Sequence, residues 1–260
     1  MAIELLLGTV DSAPIDSATV MVLRDGPTGL EVLMVRRHGD SGVLGGVHVF
    51  PGGKRDEADG ALPLDGLGDR DADWFARTLG EPALAPAVAR GLFAAALRET
   101  QEECGLALDA RALWPWSRWI TPRQPSVTRK RFDTRFFVAP APQDQEAVHD
   151  AFEATEALWV SPRAALERYW DGLIDLAPPQ IMSLVQLARL PDLARALAAA
   201  RARSPLLVEP HPFDEAGERV ICYPGDPMHP VREAGWSGPT RLRWRNRRFE
   251  PEGGLADLLG

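Results

Sequence analysis

The segment RETQEECG at residues 98–105 sets three glutamates, Glu99, Glu102 and Glu103, close together and then stops at a glycine. At about 100° per residue, Glu102 and Glu103 both fall within roughly 60° of Glu99, so the three carboxylates share one helix face. Phe93, Ala94, Leu97 and Cys104 take the opposite side. The last turns therefore have an apolar back and an acidic front. Val88 and Leu92 lie on the glutamate side earlier in the helix, so its first half is expected to be covered all round. Carboxylates this close repel one another and raise each other's pKa unless a cation joins them. Mg²⁺ suits such a set, because it prefers carboxylate oxygens and is commonly shared with substrate phosphates. The bland alternative is a solvated acidic helix end, and the helix alone favours it.

The upstream residues reverse those odds. FPGG at 50–53 followed by RETQEECGL at 98–106 resembles the Nudix box, which runs glycine, five residues, glutamate, seven residues, Arg-Glu, an aliphatic residue, any residue, Glu-Glu, any residue, glycine, aliphatic. Gly53, Arg98, Glu99, Glu102, Glu103, Gly105 and Leu106 match it. Asp59 stands where the first glutamate is expected, Thr100 takes the aliphatic place, and the spacer has grown to residues 60–97. HVFPGGKRDEAD with its long insertion, WITP, RFDTRFFVA, LAPPQIMSL and YPGD resemble the Nudix branch of the mammalian peroxisomal coenzyme A diphosphatase, over residues 16–226. A looser coenzyme A pattern lies upstream of the box. Leu33, Arg37, Gly46 and the FPGG run fit it, whereas His38 and Gly42 sit where a small residue and an arginine are expected.

The resemblance implies an α/β fold, the Nudix αβα sandwich with a mixed sheet, in which the box forms a loop–helix–loop. It implies an enzyme that hydrolyses a diphosphate with Mg²⁺ or Mn²⁺ as cofactor. The Gly53 carbonyl, Glu99, Glu102 and Glu103 would be the metal ligands, and Arg98 would orient the carboxylates, with Asp59 taking part of the missing glutamate's role. The general base would be Glu99, or else Glu153 or Glu156 ahead of LWV. Arg37 (or Arg36, since strand neighbours face opposite ways), Lys54 and Arg55 would neutralise substrate phosphates. The expected substrate is coenzyme A or an acyl-coenzyme A, cleaved to 4′-phosphopantetheine and 3′,5′-ADP. Two alternatives remain open: a Nudix hydrolase for ADP-ribose, NADH or a nucleotide sugar, and a non-catalytic ligand-sensing module. The intact glutamates argue against the second.

These residues need a scaffold. The sequence predicts strands near 18–24 and 30–37 joined by DGPTG, then a short strand running into the glycine turn. A helix is expected over 86–104 with Pro86 in its first turn. Further strands are expected at 112–120, 128–139 and 155–160, and helices at 161–170, 179–189 and 192–203. Residues 60–82 read as an inserted loop with one short helix near Trp74. That loop is expected to rim the substrate pocket, with Trp74 and Phe75 packing inward. The Nudix domain is assigned to 14–205, and 206–260 to a helical and loop extension packed on it, with strand-like pieces at ERVICY and RLRWRNRRF. The alternating arginines of the latter suit an exposed strand face. His48 is read as a structural histidine, the other four histidines as bystanders, and Trp114, Trp116 and Trp119 as core or rim.

With 260 residues, 45% hydrophobic and 25% charged, the composition is that of a globular protein with one large domain or a domain plus extension. A net charge of −8 argues against broad binding to nucleic acid or anionic membranes. Cys104 and Cys222 show no metal or redox spacing. No leader or membrane-spanning pattern is seen, so a cytoplasmic location is expected. The partner is a small nucleotide of the coenzyme A class, and the oligomeric state is left open, a homodimer included.

Overall fold

In the computed structural model, which describes residues 5, 6, 8–39, 44–148 and 154–260, the alternating run ATVMVL lies in the long central strand of a mixed sheet. This strand, β1 (Ile15–Gly26), forms a hairpin with β2 (Gly29–Arg37), and β3 (His48–Val49) adds to the outer edge of β2. β4 (Gly52–Lys54) pairs antiparallel with the first half of β1. After the insertion come α1 (Trp74–Thr78) and α2 (Pro86–Cys104), then β5 (Trp114–Ile120) and β6 (Phe132–Pro140), the latter parallel to β1. β7 (Ala154–Val160) joins β2, and α3 (Pro162–Trp170), α4 (Pro178–Leu187) and α5 (Leu193–Arg201) follow. β8 (Leu206–Val208) completes the sheet, parallel to β5.

The period of two in β1 and β2 sorts their side chains into two cores. Val20, Val22, Leu33 and Val35 pack with α2, while Met21, Leu23, Val32 and Met34 pack with α3, α4 and α5. Helices therefore cover both faces, which is the αβα sandwich expected from the sequence. The α2 helix spans the expected residues. Five alanines favour it, Pro86 occupies its first turn, and Gly105 ends it in the left-handed region with φ 69°. Thr100 is fully buried in the aliphatic place and donates its hydroxyl to the Ala96 carbonyl at 2.7 Å, which satisfies the polar group locally.

The insertion does not form the pocket rim. Its aromatic residues instead stack on the back of α2: Phe75 lies 5.1 Å from Trp74 and 5.2 Å from Phe93, and Phe93 lies 5.0 Å from Phe137. Its end is anchored by Glu81, which accepts from the buried Arg135 at 2.7 and 2.9 Å and pairs with Arg118 at 2.7 Å. Apolar burial on the α2 side, rather than chain proximity to the glycine turn, decides where the loop goes.

The extension holds a second sheet besides its loops and one short helix. β9 (His211–Glu215), β10 (Glu218–Cys222), β11 (Arg241–Arg245) and β12 (Arg248–Glu250) form a second, antiparallel sheet, followed by α6 (Leu255–Leu259). RLRWRNRRF is a hairpin rather than one strand, since Asn246 and Arg247 adopt φ 49° and 63° and reverse the chain. Four of its five arginines are paired: Arg241 with Asp226, Arg243 with Glu215 and Glu252, Arg245 with Glu218, and Arg248 with Glu250. Tyr223, Leu242 and Phe249 join the core on the α3–α5 side. Among the described residues, no helix is long and apolar enough to cross a membrane.

Candidate active site

The glycine turn and the acidic end of α2 meet beside β1. Gly52, with φ 154°, lies so close to β1 that an added Cβ would fall 2.5 Å from the Thr19 Cα. Only glycine permits that approach. Thr19 secures the turn by donating to the Pro51 carbonyl at 2.7 Å. Glu103, 4% exposed, accepts the Gly52 N–H at 3.0 Å. At Gly53 an added Cβ would run into the Glu99 carboxylate, so that side chain fills the space the glycine leaves.

Arg98 organises the carboxylates. It donates to Glu99 and Glu102 at 2.9 Å each and to the Lys54 carbonyl at 3.1 Å. Its Nε and the same Nη2 that reaches Lys54 form a fork on Asp59 at 2.9 and 3.1 Å. Asp59 is 1% exposed and is set by a short 3₁₀ turn, Glu57–Ala61, in which it also accepts the Asp56 N–H at 2.7 Å. The Asp59 carboxylate, foremost, holds the Arg98 pKa above its already high ordinary value, so this cation is permanent. Asp59 thus acts through Arg98, a role within reach of its short side chain.

Among the described residues, no three His, Cys, Asp or Glu side chains converge into a ready-made ligand set. Glu99 and Glu102 are drawn to Arg98, with the Glu102 side chain 58% exposed, while Glu103 turns to the Gly52 amide. The donor chemistry still fits a hard divalent cation: oxygen ligands gathered on one helix end, against a turn whose missing Cβ keeps backbone and carboxylate together.

Gly52, Gly53 and Lys54 line a cleft of about 630 Å³, a size suited to a small-molecule ligand. Phe50, Trp119, Phe132 and Phe136 form its apolar floor; six prolines, among them Pro122, Pro178 and Pro212, line its walls. Arg37 reaches this cleft and Arg36 does not, as strand alternation requires. Arg55 also stays out. It turns toward Asp16 at 3.9 Å and packs against Gly91 of α2, because it follows Lys54 on the opposite face. No residue of 60–82 lines the cleft.

Glu156 lies elsewhere, in a separate polar cavity with Arg36, His48 and Asp175. It stands 3.7 Å from His48 Nε2. Burial, foremost, lowers the His48 pKa. Glu153 lies outside the described residues, as do Gly42 and His149. Of the candidate bases, Glu99 is the one the structure brings to the glycine turn. Both cysteines are buried, and burial pushes the Cys222 thiol up to about 11.

His38, read from the sequence as a bystander, lines the cleft, and three further cleft residues were not singled out: Ser126, Lys130 and Gln180. The available signal was the prolines beside them, in TPRQPS and APPQ. Among the described residues, Arg37 Nε, Ser126 Oγ and Gln180 Oε1 are buried without a hydrogen-bond partner, and all three residues line this cleft.

A family model for the NUDT19 Nudix domain matches residues 96–187. A Caenorhabditis elegans relative carrying the name nudix hydrolase 7 is 26% identical over 82% of this chain and 74% of its own. The acyl-coenzyme A diphosphatase NUDT19 of Gallus gallus is 27% identical over 65% of this chain and 64% of its own. The human protein of that name is 36% identical over 33% of this chain, so the match spans only 23% of that protein. A solved NUDIX hydrolase from Alicyclobacillus acidocaldarius superposes with a TM-score of 0.56 at 26% identity, covering 73% of this chain and 97% of that one.

Proposed function

We propose that this chain, similar to the NUDT19 branch of the Nudix hydrolases, cleaves the diphosphate of coenzyme A or an acyl-coenzyme A. The products are 4′-phosphopantetheine, or its acyl form, and 3′,5′-ADP. One observation carries the reading: the carboxylates of Glu99 and Glu103 meet the Gly52–Gly53 turn where that turn lines a largely apolar cleft.

Hydrolysis adds water across the P–O–P bridge and leaves two phosphate monoesters. The Gly53 carbonyl, Glu99, Glu102 and Glu103 are the groups that would hold Mg²⁺ or Mn²⁺. Such a cation, when bound, neutralises charge on the diphosphate and acidifies water. Glu99 accepts the proton from the attacking water. Arg98 fixes the direction of Glu99 and Glu102. Arg37 and Lys54 bind diphosphate oxygens from the cleft side, and Lys130 supplies a further cation for a 3′-phosphate. The apolar floor takes the arm attached to the diphosphate.

The test is a substrate panel with Mg²⁺ or Mn²⁺ and product identification. Coenzyme A should be favoured over its 3′-dephospho form by on the order of tenfold in kcat/KM, the low end for a charge-assisted contact because Lys54 and Lys130 are exposed. Equal efficiency would remove the 3′-phosphate contact. A clear preference for ADP-ribose or NADH would defeat the coenzyme A assignment.

A further inference from the structure

The cleft walls are poor in hydrogen-bonding groups. Proline carries no N–H, so six prolines leave few backbone donors for a ligand. Most uncharged polar side chains facing the cleft are also committed. Ser17 and Thr134 bond each other at 2.7 Å, and Thr19 donates to the Pro51 carbonyl. Thr121 accepts the Phe132 N–H, Thr128 bonds the Lys130 backbone, and the Trp119 indole donates to Ser117 at 3.1 Å. Two remain. Ser126 is 5% and Gln180 8% exposed, and Ser126 Oγ and Gln180 Oε1 are buried with no partner among the described residues.

A buried polar atom without a partner is costly, and both of these belong to side chains that line one cleft. A carboxamide offers a donor and an acceptor side by side, whichever way the amide is turned. Its natural complement is another amide. Gln180 sits in the first turn of α4, just after Pro178 and Pro179, on a rigid element rather than a loop. Ser126 comes from the loop between β5 and β6, which also contributes Pro122 and Pro125 to the walls.

We propose that Gln180 and Ser126 form an amide-reading subsite, which selects substrates whose diphosphate bears an extended arm with secondary amides. This inference rests on the coenzyme A reading, since pantetheine is such an arm, but it makes a separate claim about which residues choose the substrate. Their contact lies away from the bond that breaks, so it contributes binding that is the same in ground and transition states. Its loss should therefore raise KM and leave kcat nearly unchanged.

The experiment compares wild type, Gln180→Leu and Ser126→Ala with coenzyme A and with ADP-ribose, which has a diphosphate and no secondary amide. Binding of pantetheine alone is measured by calorimetry, and folding by thermal melts. Gln180→Leu should lower kcat/KM for coenzyme A on the order of 10- to 100-fold, through KM, with ADP-ribose hydrolysis unchanged and pantetheine binding lost. Ser126→Ala should act in the same direction with a smaller effect, and serves alone if the first variant does not fold. Equal losses on both substrates, or a loss confined to kcat, would overturn the subsite while leaving the coenzyme A reading in place. If wild type hydrolyses no coenzyme A, that reading fails. Pantetheine binding then decides the subsite: binding abolished by Gln180→Leu sustains it, and no binding by wild type overturns it.

Discussion

Gly53→Ala isolates the contact on which the site reading depends. Gly53 is not among the glycines in the left-handed region, so alanine can adopt its backbone conformation. The new methyl would approach the Glu99 Cδ and both carboxylate oxygens to under 3.0 Å. Carbon contacts settle near about 3.5 Å, so the carboxylate must retreat by roughly 1 Å. A displacement of about 1 Å at a reacting group costs on the order of 100-fold, or about 2.7 kcal/mol of activation free energy. The atoms that move belong to the end of a flexible side chain that Arg98 can follow, so stability should change by less than about 1 kcal/mol. Gly52→Ala makes the contrast. There the methyl meets the β1 backbone at Ala18 and Thr19, and overpacking of that kind costs about 1–3 kcal/mol in stability. Steady-state kinetics with saturating Mg²⁺, beside thermal melts of both variants, separates the two effects. A Gly53→Ala protein with wild-type kcat and wild-type Tm would refute the placement of Glu99 at the reacting centre.

Glu103→Gln keeps an acceptor for the Gly52 N–H but removes the charge, so kcat should fall on the order of 100- to 1000-fold with the melt little altered; unchanged turnover would exclude Glu103 from the metal-holding set. Phe75→Ala removes a buried ring between Trp74 and Phe93 and should destabilise the protein by about 3–5 kcal/mol. The substrate ranking should stay the same, because the insertion lines no part of the cleft; a changed ranking measured well below the melt would return the insertion to the rim. Burial lowers the His48 pKa below its unfolded value of about 6.5, so between the two values the unfolded chain holds more protons and stability falls as the pH drops. Above about pH 6.5 the contribution is flat. Melts of wild type and His48→Gln at acid and neutral pH check this, and an identical acid slope in the variant would show that His48 contributes none of it.

Local rules made much of the molecule legible before its structure. The α2 boundaries follow from Pro86, a run of alanines and Gly105, all of which act within one or two turns. Strand alternation required that only one of Arg36 and Arg37 face the cleft, and the structure makes it Arg37. The likeness of FPGG and RETQEECGL to the Nudix box survived the long insertion because the chemistry needs only a glycine turn and a helix end, which can be joined by any length of chain. Long-range packing decided the rest. The insertion leaves the glycine turn yet packs behind α2, since Phe75 and Trp74 find Phe93 there and Glu81 finds the buried Arg135. Arg241, Arg243 and Arg245 read as a solvated face until acidic partners 15 to 28 residues away, Asp226, Glu215 and Glu218, paired with them. Gln180 and Ser126 carried no local signal beyond the prolines beside them. Which polar atom is left without a partner depends on every neighbour the fold assembles around it, and such neighbours come from β1, β5, β6, α4 and the segment between β8 and β10 together.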